Sequence, residues 1–168
     1  MTQDFVNYYK YSQKWVEIFR EHTFLIKDDP ILYLKGLHNA LNALFLANKR
    51  DKFQQYFKIY TEIEDNSLDR MSLSHSSSYF LFKYVHQLNG IFLSGQYDQG
   101  TKNMTELTKT LEAGLYQWDT NRVMVFYYKI ACVYFGADDY DSALTYLNKI
   151  NHSPIDGLRE DIQCFARI

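Results

Sequence analysis

Three short polar stretches recur along this chain at similar intervals: KRDKF at 49–53, QYDQG at 96–100 and DYDSA at 139–143. Aligned, they place Phe53, Gly100 and Ala143 in one slot, 47 and 43 residues apart. Apolar residues precede each slot at matching offsets: Leu37, Leu41 and Leu44; Tyr84, Leu88 and Ile91; Tyr127, Ala131 and Tyr134. Others follow at matching offsets: Phe57 and Tyr60; Met104 and Leu107; Leu147 and Ile150. Steps of three and four on both sides of a polar break read as helix, short turn, helix. A unit of this kind cannot bury its apolar face alone, so it stacks on its neighbours.

The rest of the chain agrees. Phe5, Tyr8, Tyr9, Tyr11, Trp15, Ile18, Phe19 and Leu25 predict a helix over 4–27. KDDP ends it, and Pro30 suits the first turn of the next helix. Helices are expected over 31–48, 51–64, 76–94, 97–113, 119–136, 139–150 and 157–168. EDNSLDRMSLSHSSS at 64–78 reads as a loop, because Ser, Asp and Asn side chains compete for backbone hydrogen bonds. Only 2 Pro and 7 Gly interrupt 168 residues, and no segment alternates with period two, so the expectation is all-α.

The pattern resembles the tetratricopeptide repeat, with its W-x2-L-G-x2-Y and A-x3-F signature. In the third unit Tyr127, Ile130, Ala131 and Tyr134 stand at the W, L, G and Y positions, and Ala143 and Leu147 at A and F; Pro154 lies near the terminal proline. The second unit keeps Tyr84, Ile91, Gly95, Tyr97 and Gly100 but departs at Gln87 and Leu88. The first has Leu37 for Trp and Phe53 for the small residue. A small residue lets two helix backbones approach, so Phe53 predicts a wider crossing. The resemblance implies one right-handed superhelical array of antiparallel helix pairs over 1–168. Its hairpins would lie at 31–64, 76–113 and 119–151, with flanking helices at 4–27 and 157–168. The last run stops at Ile168 without a cap, so a fragment of a longer chain is expected.

By the same resemblance, the first helix of each pair would line a concave groove. Its peptide-binding residues would be His38, Asn42 and Phe45, then Phe82, Val85, Asn89 and Phe92, then Tyr128 and Phe135, with Val125 and Cys132 beside them. Asn42 and Asn89 match the slot whose amide binds a peptide backbone, since an amide both donates and accepts. The cationic slots of a carboxylate clamp hold His38, Val85, Tyr128 and Cys132 instead, so an apolar peptide or helix is the expected ligand. The same side chains also suit plain packing against a neighbouring helix.

The reading is therefore a protein-binding scaffold; the alternative is a regulatory or sensory module controlling another domain of a longer protein. Net charge is −2 and no basic stripe is present, which weighs against nucleic acid. No apolar run is long enough for a bilayer. The five histidines show no metal-binding spacing, and no Gly-rich phosphate loop or catalytic constellation is present, so no cofactor, metal or enzymatic activity is expected. Cys132 and Cys164 lie in apolar helical patterns and read as buried free thiols in a reducing, cytoplasmic setting. Self-association through 157–168 is a further expectation.

Overall fold

The computed structural model describes residues 4–67, 73–116, 118–153 and 160–167. All regular structure among them is helical: α1 (Phe5–Glu21), α2 (Phe24–Asp28), α3 (Pro30–Leu46), α4 (Arg50–Ser67), α5 (Leu73–Ser94), α6 (Tyr97–Asn103), α7 (Thr105–Ala113), α8 (Thr120–Gly136), α9 (Tyr140–Asn151) and α10 (Glu160–Ala166). None is long and apolar enough to cross a membrane. The packing divides into two compact units, Met1–Leu93 and Ser94–Ile168.

Short-range chemistry sets the helix starts. Asp4, Asp29, Asp119 and Asp139 each accept a hydrogen bond from the backbone N–H three residues on, satisfying a donor that the helix itself leaves orphaned. Pro30 follows Asp29 in the first turn of α3, where its missing N–H costs nothing.

The three turns match in backbone as well as sequence. Asn48, Gly95 and Asp138 all have positive φ, at 51°, 68° and 58°, two residues before α4, α6 and α9. These are the residue types that tolerate the left-handed region. In the first turn Lys49 N–H bonds Leu44 O and Asn48 N–H bonds Phe45 O; in the third, Asp139 N–H bonds Tyr134 O and Asp138 N–H bonds Phe135 O. The six-to-one bond is that of a Schellman cap. In every turn the slot residue gives its N–H to the carbonyl four residues back: Phe53 to Lys49, Gly100 to Gln96, Ala143 to Asp139. The slot is thus a fixed backbone position, one turn into the second helix.

In the first unit α3 is central, with α1 and α4 against it. Phe19 meets Tyr33 and Trp15 meets Gly36, so α1 and α3 run antiparallel. The core is Val16, Phe19, Leu34, Leu37, Leu41, Leu44, Phe53, Tyr56, Tyr60 and Tyr79 with their neighbours. In the second unit α8 and α9 are antiparallel: Phe135 meets Tyr140 beside the turn, Tyr146 meets Tyr134 and Tyr127, and Met124 clusters with Ile150 at the far end. Ile162 and Ala166 of α10 join that far end.

Four expectations are corrected. The helix expected over 4–27 breaks at His22 and Thr23, and α2 begins with three-residue turn bonds from Leu25 and Ile26. The helix expected over 97–113 breaks at Met104, where Thr101, Thr105 and Thr108 hydroxyls bond back to the carbonyls of Asp98, Lys102 and Thr105 and compete with the helical ladder. The loop expected over 64–78 is helical through Ser67 and again from Leu73; residues 68–72 lie outside the described residues, as does Pro154. Cys164 is exposed rather than buried, because α10 buries Ile162, Gln163 and Ala166 and turns Cys164 outward.

Candidate functional site

The first unit brings three of the expected residues together. His38 and Asn42 lie one turn apart on α3, and Asn42 Nδ2 is 3.1 Å from His38 Nε2. Phe82 of α5 stacks on the His38 ring, centroids 4.0 Å apart and planes within 18°. Two further residues complete a polar chain through this packing. His86 of α5 places Nε2 2.9 Å from His38 Nδ1, and Tyr8 of α1 hydrogen-bonds Asn42. The order Tyr8–Asn42–His38–His86 links α1, α3 and α5. Its inner end is fully buried, since His86 is 0% exposed. Phe53 and Tyr60 of α4 present ring edges to His86 at 6.1 and 6.4 Å. Burial pushes His38 down to about 4, so its ring is neutral near pH 7.

The outer end of this chain meets an open apolar seam between α1 and α3. Two depressions of about 190 and 270 Å³ flank Tyr8. Phe5, Tyr8, Tyr9, Ala43, Leu46 and Ala47 line the first. Asn7, Tyr8, Tyr11, Ser12, Trp15 and Asn39 line the second. Phe5, Tyr11 and Leu46 are exposed there despite their size. The seam is open because α1 turns its Val16 and Phe19 side inward, leaving Tyr11 and Ile18 on the outer flank.

The other expected residues are placed differently. Phe45 is half-buried and packs on the first unit's core, and Val85 and Phe92 are half-buried on α5. Asn89 is only 2% exposed, so its amide belongs to the interior. In the second unit, Val125, Tyr128 and Cys132 are half-buried on α8. Tyr128 hydrogen-bonds Cys132; burial pushes the thiol up, against smaller opposing effects from Tyr128 and Lys129, so it stays protonated. Burial likewise lowers Lys129, a residue the sequence pattern had not singled out. Phe135 is 64% exposed and meets Tyr140 edge-on at 5.4 Å. Among the described residues no group of three or more His, Cys, Asp or Glu could hold a metal ion.

Two signals in the sequence point to what the pattern missed. Val85 is the register equivalent of His38, 47 residues on, and His86 is its immediate neighbour. The 4–27 segment carries Tyr8, Tyr9, Tyr11 and Trp15, more aromatics than one buried stripe needs. Compared with known proteins, the chain matches no family model, no curated protein and no solved structure.

Proposed function

We propose that this chain is a tetratricopeptide-like repeat array, stacked as a right-handed superhelix, that works as a protein–protein interaction scaffold. Its ligand is an apolar segment of a partner protein, received at the seam between α1 and α3. The observation that carries this reading is the pair of apolar depressions on either side of Tyr8, with Phe5 and Tyr11 exposed at their margins. Large apolar side chains grouped around concavities mark a surface that gains by being covered. The matching turn geometry at Asn48, Gly95 and Asp138 supports the repeat reading.

The seam shifts emphasis within the expected site. Asn42 is engaged with His38 and Tyr8 and lines neither depression, so its amide is not the one offered to a ligand. Asn39, one residue outside the original set, lines the second depression and supplies an amide that can both donate and accept. Phe5 and Tyr11 supply apolar contact.

Random dodecapeptides selected on the wild-type protein test the reading. Phe5 and Tyr11 are exposed, so Phe5→Ser with Tyr11→Ser leaves the fold intact. Selected peptides are expected to be rich in apolar residues and to bind the double variant at least tenfold more weakly, on the order of the loss of one buried aromatic anchor. Equal calorimetric affinity for both proteins would remove the seam from the interaction.

A further inference from the structure

The chain of side chains ending at His86 is more elaborate than packing requires. An apolar pair at positions 38 and 86 would fill the same space without hydrogen bonds to satisfy. Instead two imidazoles face each other at 2.9 Å inside a ring of Phe53, Tyr60 and Phe82. With the Asn42 amide nitrogen directed at His38 Nε2, the neutral tautomer that satisfies both contacts carries its proton on His38 Nδ1 and donates it to His86 Nε2. One bridging proton is what the geometry accommodates.

We propose that the His38–His86 bridge is a proton-operated latch that fastens α5 to α3 and releases it on acidification. A first added proton turns His38 Nε2 into a donor, which opposes the Asn42 N–H and forces the amide to reverse. It also places an imidazolium in a largely apolar cage, a cost that the stacked Phe82 face offsets only in part. A second proton sets two N–H groups against each other at 2.9 Å and breaks the bridge outright. Opening α5 returns both rings to water, where they accept protons freely.

Among the described residues, the titratable groups that approach the pair are phenols, at Tyr8 and Tyr60, and an ammonium, at Lys83. Tyr8 approaches from α1 through Asn42. From α4 come Phe53 and Tyr60, whose hydroxyl donates to Tyr79 O. On α5 itself, Lys83 holds its ammonium over the Phe80 and Tyr84 rings, adding positive charge one turn from His86. The low value for His38, about 4, has burial as its cause. The latch is independent of what fills the seam.

Hydrogen exchange of α5 reads the latch directly. Counting His38 alone, titrating near 4 when closed and near its usual 6.5 when open, the opening constant rises at least about thirtyfold between pH 7.5 and pH 5. Protection of α5 amides, corrected for intrinsic exchange, is expected to fall by at least that factor, while α8 in the other unit keeps its protection. In the double variant His38→Gln, His86→Gln the pH dependence of α5 should flatten, whatever its absolute protection. An equal fall in wild type and variant overturns the latch. Should the variant not fold, imidazole nitrogen shifts of the wild type decide. His38 remaining neutral until α5 opens supports the proposal; His38 titrating near 6.5 with α5 still protected refutes it.

Discussion

The α3–α4 and α8–α9 hairpins share one turn and differ in what they put at its first inward position. Both turns use a left-handed residue, Asn48 or Asp138, and the same six-to-one cap. Yet the slot holds Phe53 in one and Ala143 in the other, 1% and 4% exposed. The Phe53 ring reaches past its own hairpin. It stacks near Phe57, meets the edge of His86, and lies 3.5 Å from where a side chain on Gly90 would begin. Ala143 reaches nothing comparable, and Tyr146 fills the space by stacking on Tyr134 at 5.7 Å. The turn fixes backbone position. The slot side chain decides whether the hairpin closes on itself or reaches a third helix.

The largest effect should come from emptying the reaching slot. Phe53→Ala removes a buried ring that meets Phe57 on α4 and His86 on α5, and is expected to cost about 3–5 kcal/mol in urea unfolding. Filling the other slot should hurt less: Ala143→Phe is expected to cost about 1–3 kcal/mol through overpacking against the tyrosine stack. Equal losses would mean that the two slots do the same work, and the contrast between the hairpins would be lost.

This contrast also marks how far the sequence could be read. The turns were legible because left-handed backbone admits few residue types and an N-cap needs a short acceptor, so Asn48, Gly95 and Asp138, with Asp29 and Pro30, announce themselves. The all-α class followed from three- and four-residue spacing. The His38–His86 pairing was not legible, because periodicity gives the face a residue occupies but not its partner across that face. For the same reason His38, Asn42 and Phe82 fell on one expected surface while Asn89, buried, fell on it too. The seam was missed because a single stripe on α1 does not say which flank stays uncovered. The break at Met104 turns on threonine hydroxyl bonds, local competitors that leave no mark on the spacing of the apolar residues.

A middle-sized test concerns the residue before each second helix. Asp139 accepts from Ser142 N–H at 3.1 Å; Lys49, at the same place in the first turn, has no acceptor in its side chain. Exchange should therefore move the hairpins in opposite directions. Asp139→Lys is expected to lose about 1 kcal/mol, and Lys49→Asp to gain about as much, by supplying a cap and favouring the helix dipole. Thermal unfolding of both variants measures this. A loss in both would show that Lys49 serves the first turn in a way its backbone role does not account for.

The smallest effect isolates the backbone itself. Asn48 holds φ at 51° and Asp138 at 58°, where glycine bears no Cβ penalty. Asp138 also accepts the Tyr140 hydroxyl at 2.8 Å, a bond that pushes the Tyr140 phenol up and that glycine would forfeit. Asn48→Gly is therefore expected to be neutral or stabilising by a few tenths of a kcal/mol, since relief of strain outweighs the added freedom of the unfolded chain. Asp138→Gly should come out slightly destabilising, because the same relief is set against a lost hydrogen bond. Opposite signs would place the difference between these turns in one side-chain contact. Matching signs would mean that the Tyr140 bond contributes nothing, leaving the slot residue and the Asp139 cap to distinguish the hairpins.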